Sequence, residues 1–180
     1  AVSGLHNWPG LPPGIVGLNA GPMMASADRV TIGITGRGGH GAHPYQTIDP
    51  VVVAAHIITA IQSIVSRNVR AIDSAVVSIC AMHAGDPGAM SVVPGKATLV
   101  GTVRTFNPEV QDMVERRLNE LCSAVALGFG ATAAVHYERI YPATINSFDE
   151  TRFAADVATS LVATINSFDE TRFAADVATS

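Results

Sequence analysis

Residues 96–125 read KATLVGTVRTFNPEVQDMVERRLNELCSAV. The first part alternates. Ala97, Leu99 and Val103 fall on one side, and Lys96, Thr98, Thr102 and Arg104 on the other, which is the period of a half-buried strand. Asn107-Pro108 stops that rhythm. A side chain that can cap is followed by proline at the first helical position, where its missing N–H costs nothing. Val110, Met113, Val114, Leu118, Leu121, Cys122 and Val125 then recur at three- and four-residue spacing, and Gly128 and Gly130 mark the helix end.

The same grammar occurs upstream. Val30, Ile32 and Ile34 alternate with Thr31, Gly33 and Thr35, and Asp49-Pro50 repeats the cap-then-proline signal. The helix it opens should reach about Ser66, with Ala54, Ile57, Ile58, Ile61, Ile64 and Val65 on its apolar face. Ala75–Met82 reads as an uncharged strand, Asp86-Pro87-Gly88 as a loop, Pro94-Gly95 as a turn, and Ala131–Tyr141 as the last strand. The order is strand, helix, strand, strand, helix, strand. Right-handed crossovers then predict an α+β fold: a ferredoxin-like split βαβ sandwich, with a four-stranded antiparallel sheet and two helices on one face. Arg104 should lie on the open face.

The chain has 180 residues, 48% hydrophobic and 14% charged, and a formal charge of −4. Mean hydropathy is +0.30. This excludes disorder over most of the chain. A single lysine, Lys96, argues against a nucleic-acid partner. No apolar run reaches the ~18 residues of a membrane span, because His56, Thr59 and Gln62 interrupt the longest one. No secretory leader is visible. Cys80 and Cys122 lie in apolar periodic segments without metal-type spacing and read as reduced core residues, as expected of a cytoplasmic protein.

Residues 143–160 and 163–180 are the same eighteen letters, ATINSFDETRFAADVATS. Identity over two units points to a duplication or sequence-assembly error, since a solenoid needs three or more. Ser147 and Glu150 have capping-box spacing, and Phe153, Val157 and Leu161 form one helical stripe. The second copy, with Phe173 and Val177 but no following leucine, should fray.

The loop Gly36-Arg37-Gly38-Gly39-His40-Gly41 formally matches a dinucleotide fingerprint, but its helix opens too late to hold a pyrophosphate. The glycines instead allow sharp turns and close approach around His40. By spacing alone His40 could equally be a solvated loop residue. His40 and His43 make a weak metal pair. His56, His83 and His136 read as surface or locally satisfied residues, and His6 has no second ligand by spacing.

Three stretches carry a specific resemblance: GLHNWPGLPPG at 4–14, GRGGHGAHPYQTIDPV at 36–51 and SVVPGKATLVGTVRTF at 91–106. With DSAVVSI at 73–79 they resemble the metal-dependent amidohydrolase family of aminoacylases, hippurate hydrolases and auxin-conjugate hydrolases. The resemblance implies a lid and dimerisation domain at 29–142, a catalytic-domain stub at 1–28, and a return helix, duplicated, at 143–180. It implies that His6 is a metal ligand and that His40 donates to the oxyanion in the opposite subunit. It further implies that Arg104 and Ser91 bind substrate, Arg104 gripping a carboxylate through two parallel bonds.

Two departures stand out. Ser91 replaces the family's frequent asparagine and is shorter, and Tyr45 stands where many relatives have histidine. The intact enzyme would hold two divalent ions (zinc, manganese or cobalt) and cleave N-acyl amino acids. The other metal ligands and the general base are absent, so this chain alone should bind no metal stably and be inactive. The uncharged strand 75–82, at a sheet edge, and helix 49–66 should form a homodimer interface. The alternative is a non-catalytic dimerisation or small-ligand-binding module.

Overall fold

The computed structural model describes residues 4–6, 12 and 14–165. The second repeat's Phe173 and Val177, and Trp8, lie outside them. Two compact units are present: residues 25–143, and the described parts of 1–24 and 144–180.

In the larger unit the sheet consists of β2 (Ala27–Thr35), β4 (Ala75–Ala84), β6 (Lys96–Thr105) and β7 (Thr132–Tyr141). Their order is β4-β6-β2-β7, and every neighbouring pair is antiparallel. Two helices, α1 (Pro50–Asn68) and α2 (Pro108–Gly128), cover one face. Both N-terminal caps form as the sequence predicts. Asp49 accepts from the Val51 amide at 2.8 Å and Asn107 from the Glu109 amide at 2.8 Å. Helix α2 ends on Gly130 at φ +74°, with Ala131 N–H donating to Ala126 O, a left-handed cap that suits glycine.

The core follows the strand parity. Val30, Ile32, Ile34, Leu99 and Val103 meet Ile57, Ile61 and Ile64 of α1 and Val114 and Leu118 of α2. The expectation that no apolar run is long enough for a membrane span needs correction: helix α1, with His56, Thr59 and Gln62 included, is long and apolar enough by length and composition. Its buried stripe belongs to this core.

The cysteine expectation needs correction. Cys122 is buried in α2, but Cys80 is exposed. The register of β4 against β6 shifts between Ile79 and Ala81, so Cys80 sits in a bulge with no partner residue opposite. Burial pushes the Cys122 thiol up from 9.0 to about 11. A raised pKa favours folding below the unfolded value, and that contribution is lost between pH 9 and pH 11. At pH 8 only about one Cys122 in a thousand is thiolate, so an alkylating reagent should label Cys80 alone until denaturant is added. Native mass spectrometry counts the labels; two labels on folded protein would contradict the assignment.

In the smaller unit, β1 (Gly21–Met24) pairs antiparallel with β8 (Thr144–Asn146), and α3 (Phe148–Ile165) follows. Strand β1 has no counterpart in the elements named from the sequence. The Ser147 hydroxyl meets the Glu150 carboxylate directly, where a capping box would have each side chain reach the other's amide. This contact holds the Glu150 carboxyl below its usual range. Phe153 and Leu161 stay exposed on α3.

Candidate functional site

The glycine-rich loop is a folded arch. Gly36 N–H donates to Gly95 O at 3.0 Å, which fixes the loop at the Lys96 end of β6. Arg37 and Ile48 bridge across the base, and Arg37 Nε donates to Gln46 O at 2.9 Å. The short strands β3 (Gly39–His40) and β5 (Val92–Val93) pair antiparallel, with His40 opposite Val92. Gly41 N–H donates to Ser91 O at 2.7 Å. His40 and Ser91, fifty-one positions apart in sequence, therefore meet on one exposed hairpin-like edge.

None of these loop glycines has positive φ. The glycines serve close approach. A Cβ on Gly36 would lie 2.1 Å from Ile48 O, and one on Gly38 would lie 2.7 Å from Val93 O and 3.1 Å from Gly95 N. Both obstacles are backbone. Gly38→Ala should therefore push β3 off β5 and destabilise the chain by roughly 1–3 kcal/mol. Thermal melting checks this; an unchanged Tm would sink the close-approach reading. Gly39 pairs with Val93 of β5, and α1 begins only at Pro50, so the loop glycines do not open onto a helix N-terminus as a dinucleotide fingerprint requires.

Three rings line the outside of the arch. His40 and His43 have centroids 5.6 Å apart, and His43 and Tyr45 5.9 Å apart in an edge-on contact. Among the described residues no group of three or more His, Cys, Asp or Glu could hold a metal. His6 is exposed and lies in the smaller unit. The described donors thus do not fit a two-ion centre.

Arg104 is elsewhere. It lies eight residues beyond Lys96 on β6, roughly 26 Å along the strand at 3.3 Å per residue. It is half-buried on the open-face register, as expected, and Nη1 donates to Ser26 O at 3.3 Å. It is absent from the ion pairs among the described residues. A cavity of about 650 Å³ opens beside it, lined by Val65, Val69, Asp73, Val76 and Phe106. The guanidinium keeps donors for an anion there. The site residues thus fall in two groups: His40 with Ser91 at one end of the sheet, and Arg104 at the other.

A polar cluster not anticipated from sequence lies between β2, α2 and β7. Asp28, 1% exposed, accepts from Gln111 Nε2 at 2.9 and 2.8 Å and from Tyr137 OH at 2.7 Å. Arg139 donates to Gln111 Oε1 and reaches Asp112 and Glu115. Burial raises the Tyr137 pKa, and the Asp28 hydrogen bond adds to the effect.

The larger unit is thus an α+β sandwich with two helices on one face of a four-stranded antiparallel sheet and an uncharged strand at its edge. The chain belongs to the peptidase dimerisation domain family of the M20 peptidases, whose model matches residues 25–129. It is 39% identical over 161 residues to an N-acetylcysteine deacetylase of Bacillus subtilis, covering 89% of this chain and 42% of that protein. It is 38% identical over 160 residues to a hippurate hydrolase of Campylobacter jejuni, covering 89% and 41%. Among solved structures it resembles a Bacillus subtilis dinuclear metal-binding peptidase of the M20 family, with TM-score 0.65, 33% identity, and 87% and 37% coverage. A putative aminohydrolase from Staphylococcus aureus gives TM-score 0.73 at 24% identity, covering 82% and 39%. The chain thus spans about two fifths of the curated relatives it matches.

Proposed function

We propose that this chain is the lid and dimerisation portion of a metal-dependent amidohydrolase that cleaves N-acyl amino acids, with the domain division read from the sequence and a ferredoxin-like lid. It acts in the cytoplasm as part of a homodimer, and alone it is inactive. The observation that carries this reading is the separation of the two site groups. Lys96, at the end of β6 where the His40 arch docks, and Arg104 are roughly 26 Å apart along the strand. That is farther than a small N-acyl amino acid reaches, so we read Arg104 and His40 of one chain as serving different substrate molecules. A two-fold dimer resolves this geometry. Each lid gives Arg104 to its own subunit's site and His40, with Ser91, to its partner's.

Within such a site this chain's residues would bind and orient. Arg104 holds the carboxylate through charge-assisted bonds, with the neighbouring cavity taking an apolar group. His40 donates to the oxygen that gains charge as the amide carbonyl is attacked. Ser91, shorter than asparagine, steadies the acyl end. His6 of the smaller unit is, on the resemblance alone, a metal ligand, and no set of side chains able to hold an ion is found among the described residues. Ions held by the longer protein would supply water activation.

The contact surface fits a second copy. No Lys, Arg, Asp or Glu occurs between Pro50 and Ser66 or between Ala75 and Ala84. Strand β4 is a sheet edge, and Val52, Val76 and Met82 are 45%, 49% and 51% exposed. An undefended edge tends to pair with another strand. Sedimentation at about 50 μM should give a dimer, and Ala81→Lys, on the exposed part of β4, should shift it to monomer. A monomeric parent chain removes the dimer from the proposal. Activity is tested on the longer reading frame by release of free amine from N-acetyl and N-benzoyl amino acids; no release from either series removes the amidohydrolase assignment.

The unpaired Arg104 beside a cavity also favours a second reading, a non-catalytic module that binds a small carboxylate. Stabilisation of this 180-residue chain by free amino acids, lost in Arg104→Ala, would select it.

A further inference from the structure

His40 carries a hydrogen bond that its proposed role leaves unused. The Ala42 backbone N–H donates to His40 Nδ1 at 3.1 Å. A backbone amide can only donate, so Nδ1 must accept, and a ring nitrogen accepts only through its free lone pair. In neutral imidazole one nitrogen bears the proton and the other does not. We infer that the Ala42 amide fixes His40 as the Nε2–H tautomer and makes residues 40–42 a positioning device for that proton. The inference rests on the oxyanion reading for its purpose, but its geometry stands alone.

Three features converge on this assignment. Gly41, between the two partners, donates its own N–H to Ser91 O, so the backbone that carries the Ala42 amide is tied to β5. His43 N–H donates to His40 O at 2.9 Å, closing the turn from the other side. Nε2 makes no hydrogen bond among the described residues, so the far edge of the ring keeps its donor. The ring, on an exposed residue, therefore offers one N–H at Nε2. A neutral ring in this state donates at Nε2 and cannot accept there. That is the polarity an incoming oxyanion requires, and the wrong one for taking a proton from water.

The test is NMR of the full 180-residue chain with 15N-labelled histidine and alanine at pH 8. Long-range proton–nitrogen correlation through the ring should show His40 with a protonated Nε2 and a bare Nδ1. A through-hydrogen-bond nitrogen–nitrogen coupling should join Ala42 N to His40 Nδ1. A protonated Nδ1, or an even mixture of tautomers, overturns the inference. An Nε2–H ring lacking the coupling overturns Ala42 as its cause. Neither result touches the oxyanion role, which the subunit-mixing experiment on the longer enzyme judges separately.

Discussion

On the proposed crossed site, His40→Ala and Arg104→Ala variants of the longer protein should each lose activity and regain it when their subunits are mixed. Alone, His40→Ala would remove the proposed oxyanion donor and should lower kcat by about 10²–10³-fold. Arg104→Ala would remove the proposed charge-assisted grip on the carboxylate and should lower kcat/KM by a comparable factor, mainly through KM. In a mixed dimer the two lesions distribute unequally. The site that uses Arg104 of the His40→Ala subunit receives His40 from the Arg104→Ala subunit, so it is whole. The other site carries both lesions. Random pairing makes half the dimers mixed, each with one whole site, so about a quarter of wild-type activity should return. If both residues served the same subunit's site, no pairing could restore one. Activity remaining at the level of the parent variants after exchange, verified by mass, would overturn the crossed arrangement.

The elements were legible because each announces itself locally. Cap-and-proline pairs at Asp49-Pro50 and Asn107-Pro108 locate both helix starts. The alternation in residues 96–105 assigns the face of every residue named there, including Arg104. The motif residues His40, Ser91 and Arg104 were found from stretches of sequence, but their division between two ends of the sheet was not. That division depends on Gly36 docking against Gly95 and Gly41 against Ser91, contacts that only the closed sheet creates. The bulge at Cys80 was hidden for a related reason. An extra residue in a strand leaves composition unchanged and shows only as a slip of register against a partner.

The polar cluster around Asp28 is not legible in the alternation of Val30, Ile32 and Ile34, because Asp28 lies just before it. Asp28 in fact shares the parity of Val30, Ile32 and Ile34, all facing the helices. A carboxylate in core register is the signal that could have found it. Such a group is tolerated inside only with hydrogen-bond donors to match. Gln111 from α2 and Tyr137 from β7 supply them, so the cluster specifies where α2 rests on the sheet.

Removing that acceptor should be among the most damaging single changes in residues 25–143. Asp28→Ala leaves the Gln111 amide and the Tyr137 hydroxyl without their shared partner in a buried site. Unpaired donors there cost about 1–3 kcal/mol each, and the lost volume adds a cavity, so a total of roughly 3–5 kcal/mol is expected. Asp28→Asn separates the contributions. It keeps the shape and one acceptor oxygen but turns an NH2 toward a donor, so it should cost about half as much. Asp28→Leu with Gln111→Leu and Tyr137→Phe removes donors and acceptor together, and it should recover much of the loss. Alkaline pH probes the same contacts. The Tyr137 pKa is raised in the fold, so its contribution is full below the unfolded value of 10.0 and fades only above it. Denaturant unfolding of the variants at pH 7, and of wild type against Tyr137→Phe from pH 8 to 11, measures both. If Asp28→Ala proved no more harmful than a surface substitution, within about 0.5 kcal/mol, the cluster would not be what holds α2 in place.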